Sequence, residues 1–111
     1  MRGPERPRPA GLPSARQARQ AFRRALLESG GEFIATKHFK DRLGARRFDM
    51  NDVVRLARTG RIPNPAEYDM RRDEWQWRIE GQAMDGRMVY VVFSVLSAQQ
   101  VKGITIEAPW R

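Results

Sequence analysis

One stretch, Thr36-Lys37-His38-Phe39-Lys40-Asp41-Arg42, holds the only histidine in the chain. Histidine is the one side chain whose ordinary pKa lets it take up or release a proton near neutral pH. An arginine stands four residues on, so on a helix His38 and Arg42 are surface neighbours. Arginine supplies a planar fork that holds phosphate or carboxylate by two parallel hydrogen bonds. The pair therefore has the parts for proton transfer beside an anion. Cysteine is absent, which removes thiol nucleophiles, thiolate zinc sites and disulfides. A single histidine rules out a His-rich metal site, and no tight carboxylate cluster suggests a magnesium site. No metal and no cofactor is expected.

The charge is lopsided. Residues 1–47 carry twelve Lys/Arg against four Asp/Glu, and residues 48–111 carry nine against nine. The whole formal excess of +8 therefore lies on the first part of the chain. Such a one-sided field attracts polyanions, nucleic acid above all. Eighteen of the 21 basic residues are arginine, which suits phosphate and guanine edges and equally follows from codon bias in a GC-rich genome.

At 111 residues the chain is read as one domain, residues 14–111, behind a flexible basic arm, residues 1–13, rich in proline and arginine. Ser14 is a good N-cap for a helix running to about Ser29, with Ala15, Ala18, Phe22, Ala25 and Leu26 as its apolar stripe. Arg16, Arg19, Arg23 and Arg24 lie off that stripe, as a solvated face or a nucleic-acid-binding one. Lys37, Arg47 and Arg87 would extend the same basic surface.

Gly30-Gly31 ends this helix, and Glu32–Ala35 reads as a short extended lead into the next. Thr36 caps a second helix, with Phe39 and Leu43 pointing inward and Gly44 as its stop. Asp49 starts a third, with Asp52 completing an approximate capping box and Met50, Val53, Val54, Leu56 and Ala57 on its buried side. Thr59-Gly60 closes it.

Beyond the Ile62–Pro65 turn the period changes from helical to alternating. Ala66–Met70 fits a short edge strand and Trp75–Glu80 a half-buried one. Asp85-Gly86 is a strong hairpin signal. Met88–Leu96 is apolar on both faces and reads as the central strand. In the last strand, Val101–Ala108, Ile104 and Ile106 are expected on one face and Gly103 and Thr105 on the other. The expected fold is α+β, with N-terminal helices packed on a curved antiparallel sheet of three or four strands. No apolar run reaches the roughly 20 residues of a membrane span, and the start lacks the apolar stretch of a secretory signal, so a cytoplasmic location away from membrane is expected.

His38-x-x-x-Arg42, Arg47, the helix Asp52-Val53-Val54-x-Leu56-Ala57-x-x-Gly60, Arg78 on a strand, Gly86-Arg87 and Ile104-Thr105 together resemble a family of small bacterial domains of unknown function. That family is similar to BrnT-type toxins and more distantly to the RelE/ParE superfamily. The resemblance spans roughly residues 33–109. It implies helices on a curved antiparallel sheet, metal-independent cleavage of RNA, and a cognate antitoxin as protein partner. One departure is that basic groups are sparse in the second half of the chain.

Metal-free RNA cleavage needs the 2′-hydroxyl deprotonated, the phosphorane charge stabilised and the 5′-oxygen protonated. The catalytic candidates are His38 as acid or base, Arg42 and Arg78 as the phosphate clamp, and Thr105 as an orienting hydroxyl, with Arg87 and Tyr90 also in view. Each has a plainer reading. Arg42 could pair with Asp41 or Asp49, Arg78 and Arg87 could be solvated, and Thr105 could serve only its strand. Trp75, Trp77 and Phe93 read as core. The rivals to an RNase are a non-enzymatic nucleic-acid-binding module and a protein-interaction adaptor.

Overall fold

A computed structural model describes residues 11–109. The arm expected over residues 1–13 thus lies, but for its last three residues, outside the described residues. Three helices come first, α1 (Ala15–Leu27), α2 (Lys37–Ala45) and α3 (Met50–Thr59), with strand β1 (Glu32–Ala35) between the first two. Then follow β2 (Glu67–Asp69), β3 (Glu74–Gln82), β4 (Met88–Ser97) and β5 (Gln100–Glu107).

Each helix starts where a side chain satisfies its free N–H groups. Ser14 and Gln17 form a capping box on α1, Thr36 Oγ1 accepts from Phe39 N–H (3.1 Å) on α2, and Asp49 with Asp52 forms the box on α3. The inward positions of α1 are Ala18, Ala21, Phe22 and Ala25, while Ala15 is exposed. Val53, Leu56 and Ala57 are buried on α3, but Met50, expected to be buried, is 40 % exposed.

The sheet order is β1-β5-β4-β3-β2, and β1 runs parallel to β5. The expectation of an antiparallel sheet of three or four strands is corrected on both counts: the sheet has five strands and is mixed. The α+β class stands. Glu32–Ala35 is a strand rather than a lead-in because the outer edge of β5 would otherwise leave its N–H and C=O groups unpaired. Its partners lie 68 residues away (Glu32 opposite Gln100), so no local pattern announces the pairing.

α1 and α3 cover one face of the sheet. Phe22 of α1 stacks on Phe93 of β4 with centroids 4.8 Å apart, and Trp77, Ile79, Val89, Val91, Val101 and Ile106 point into the same core. A bulge changes the facing of β5. Thr105 stands opposite Val92 but Gly103 opposite Phe93, so Ile104 is the extra residue. Gly103 consequently faces the core, where a Cβ would come within 2.4 Å of the Phe33 ring and 3.1 Å of Phe39. The expected pairing of Gly103 with Thr105 on one face is thereby overturned: Thr105 and Glu107 turn to the other side. Among the described residues no helix is long and apolar enough to cross a membrane.

Candidate functional site

The face of the sheet away from α1 and α3 carries the alternate residues. These are Gln76, Arg78 and Glu80 on β3, Tyr90 and Val92 on β4, and Thr105 and Glu107 on β5. The register aligns them in rows, with Glu80 beside Tyr90 beside Glu107, and Arg78 beside Val92 beside Thr105. Helix α2 reaches this face from the β5 side.

Glu107 is the centre of the array. Arg42 donates to both of its oxygens, Nε to Oε2 and Nη2 to Oε1, each at 2.8 Å. Arg46 Nε donates to Oε1 (3.0 Å) and the Thr105 hydroxyl donates to Oε2 (3.1 Å). Neither Asp41 nor Asp49 is the partner of Arg42. Asp41 pairs with Lys37 (3.0 Å) and Asp49 caps α3. The Arg42 hydrogen bonds, with help from Arg46 and Thr105, hold the Glu107 carboxyl at about 2, against the opposing effect of desolvation. Glu107 in turn raises Arg42 above its ordinary value, and the nearby Tyr90 phenol adds to this. Two cations and one anion leave this cluster with a net positive charge.

On the other side of Tyr90, the Arg78 guanidinium lies 3.6 Å from the ring centroid and its Nε is 3.6 Å from Glu80 Oε2. Tyr90 therefore sits between Arg42 and Arg78. Beyond Arg78 the face opens into a cleft of about 220 Å³ that also takes in Asn64, Pro65, Glu67 and Gln76.

Of the four catalytic candidates, Arg42 and Thr105 meet on Glu107, and Arg78 approaches the same row from the sheet. His38 is exposed one turn before Arg42, and its imidazole has no hydrogen bond among the described residues. Part of the basic surface expected of the first half holds the fold, while Arg16, Arg24, Lys37 and Arg47 stay exposed. Arg19 Nε donates to Gly60 C=O (2.8 Å), and Arg23 Nη1 donates to the carbonyls of Ala57 (3.4 Å) and Arg58 (3.3 Å), so both cap the C-terminal end of α3. Arg87 is exposed, as expected, but donates to the carbonyls of Arg46 (2.7 Å) and Arg47 (2.8 Å) and to Asp85 (2.7 Å). It also lies over the Phe48 ring at 4.2 Å, tying the β3–β4 hairpin to the α2–α3 loop. Arg24, though exposed, lies 3.9 Å from Glu28.

Sequence reasoning missed Arg46 and Glu107. The first was findable, since His38, Arg42 and Arg46 recur every four residues along one helix face. Glu107 shares a strand face with Thr105, two residues apart, but nothing local pairs it with Arg42.

The Glu107 shift makes a pH prediction. Its folded pKa of about 2 lies below the ordinary 4.5, so it stabilises the fold fully above pH 4.5 and progressively less as the pH falls toward 2. Solvent screening at this rim should keep the effect of Glu107→Gln to about 1 kcal/mol at neutral pH. Urea midpoints of parent and variant should differ at pH 7 and converge by pH 2–3. A constant gap would show that the carboxylate charge is not what stabilises the cluster.

A scan against protein-family models finds no match, and neither do searches of curated proteins and of solved structures. The functional reading therefore rests on the residues themselves.

Proposed function

We propose that this domain acts on RNA through the open face of its sheet, as a toxin-like, metal-independent endoribonuclease. The observation that supports it is the cluster around Tyr90, whose register neighbours are Glu80 and Glu107, with Arg78 over its ring and Arg42 drawn to Glu107 beside it. Two guanidiniums flank one phenol on a face that α1 and α3 leave open, with the only histidine one turn from the first of them. Arg46 spends only its Nε on Glu107, and Arg78 only a long contact on Glu80, so both keep donors for phosphate oxygens. In this reading His38 takes the 2′-hydroxyl proton as the 2′-oxygen bonds to phosphorus, and the arginines hold the phosphorane charge. The P–O5′ bond breaks to leave a 2′,3′-cyclic phosphate, and the protonated His38 gives its proton to the departing 5′-oxygen. The Tyr90 and Thr105 hydroxyls lie on the same face for orientation. Glu107, ionised down to about pH 2, is a positioning residue for Arg42 and Arg46 rather than a proton donor. The toxin reading carries with it a cognate antitoxin, whose co-expression would relieve growth arrest.

A second reading is a nucleic-acid-binding module of the same face without cleavage. It is favoured by the Arg42 fork, which is already filled by Glu107.

One experiment separates the two. The parent, His38→Ala and Arg78→Ala are incubated with RNA in EDTA, and binding is titrated in parallel. Under the first reading His38→Ala lowers the cleavage rate by about 100-fold or more, the range of a lost acid–base group. Arg78→Ala weakens binding and lowers the slope of log affinity against log salt by about one. Binding without cleavage by the parent selects the second reading. An absence of binding at low salt removes both.

A further inference from the structure

The cleft that Arg78 and Tyr90 share extends past the groups assigned to phosphate chemistry, to Asn64, Pro65, Glu67 and Gln76. Its wall chemistry is that of a base-reading site. We infer that it takes a single unstacked nucleobase and prefers guanine, an inference that rests on the RNA-directed reading of this face.

The volume, about 220 Å³, falls below the roughly 300–1,000 Å³ of pockets for drug-sized ligands and suits one flat ring system. One side is the Arg78–Tyr90 stack. Guanidinium planes and aromatic rings are the surfaces on which single-stranded bases stack. Pro65 supplies a further apolar wall.

Two of the polar groups at the rim, Glu67 and Gln76, offer acceptors. Glu67 is exposed, and its carboxylate has no hydrogen bond or ion pair among the described residues. Opposite it in register stands Gln76, whose Nε2 donates to Asp69 Oδ2 (3.1 Å) and Glu74 Oε1 (3.3 Å). With both amide hydrogens engaged, Gln76 has only its carbonyl oxygen left for a ligand. A carboxylate offers two adjacent acceptors. Among the four RNA bases only guanine presents two adjacent donors, N1–H and the N2 amino group, on its Watson–Crick edge. Adenine, cytosine and uracil each place an acceptor beside their donor and would set it against the carboxylate. Asn64, exposed at the same cleft, has an amide that can donate to guanine O6.

The test uses the full chain and four fluorescently labelled RNA hexamers, oligo-uridine with G, A, C or U at a central position. Anisotropy titrations are run at low salt with the parent and with Glu67→Gln. The central-G hexamer should bind about ten-fold more tightly than the others, the discrimination of one good bidentate contact. Glu67→Gln should erase most of that advantage. Affinity for the all-uridine hexamer should hold or improve, because a negative charge leaves the surface. Equal binding of the four hexamers by the parent, or a guanine preference that survives Glu67→Gln, overturns the base-reading site and leaves the RNA surface standing. Failure to bind any hexamer overturns the RNA surface and the base site with it.

Discussion

Phe22→Ala should lower the stability of the fold by about 4 kcal/mol, the range for a phenylalanine deleted from a rigid core. Phe22 is fully buried. Its ring meets Phe33 edge-on at 6.0 Å and Phe93 at 4.8 Å, so it joins α1 to β1 and to the centre of the sheet at once. The space left by its removal is hard to fill. Phe33 is itself held against Phe39, with centroids 5.2 Å apart, and against the backbone at Gly103, where it occupies the room a side chain would need. A domain of this size has about 5–15 kcal/mol in all, so the variant would be marginal. Thermal melts followed by circular dichroism should show the midpoint falling by roughly 15 °C, at about 4 °C per kcal/mol. A fall of only a few degrees would mean that the three rings repack, contrary to the close contacts around Gly103.

Asp52→Ala should be the second most damaging change, at about 3 kcal/mol, because it leaves two backbone donors without a partner. Asp52 is 7 % exposed. Its Oδ2 accepts from Asp49 N–H (2.9 Å), closing the capping box of α3, and its Oδ1 accepts from Met84 N–H (2.8 Å) in the β3–β4 hairpin. One carboxylate therefore starts a helix and anchors a hairpin. Arg87 ties that hairpin to the α2–α3 loop, so the two contacts together fix where α2, with His38, Arg42 and Arg46, stands relative to the strands. Asp52→Asn keeps one acceptor and should recover about half of the loss. Urea unfolding measures the sum, and native-state hydrogen exchange assigns it. The amides of Asp49 and Met84 should lose protection beyond the global change. Uniform loss of protection would instead mark Asp52 as an ordinary buried residue.

These two residues show how unevenly the chain announces itself. The helical period places Phe22 in the core, and the Asp49–Asp52 spacing marks the start of α3. The hold of Asp52 on Met84, 32 residues on, has no trace in either pattern. The arginines divide in the same way. The one-sided charge is plain from the order of residues and suggests a polyanion surface. In the folded chain Arg19 and Arg23 cap α3 and Arg87 clamps a loop, so position in sequence overstated the free basic surface. On the open face Arg46 reaches Glu107 from the end of α2 and Arg78 lies over Tyr90 from a strand, each keeping donors that no partner fills.

The residue types alone determined the α+β class, the three helix starts at Ser14, Thr36 and Asp49, and the Asp85-Gly86 hairpin. Each of these depends on hydrogen bonds or backbone angles within about four residues, which local chemistry decides. Only the tertiary structure decided the parallel pairing of β1 with β5, the bulge at Ile104 and the closing of the Arg42 fork on Glu107. The first and the last join groups 68 and 65 residues apart, the bulge lies between neighbouring strands, and in each case the partners are chosen by which edges and faces remain unsatisfied once the elements pack. His38 and Arg42 stand four apart in any reading of the chain. The partner that meets the arginine was set by a one-residue bulge on the farthest strand in sequence.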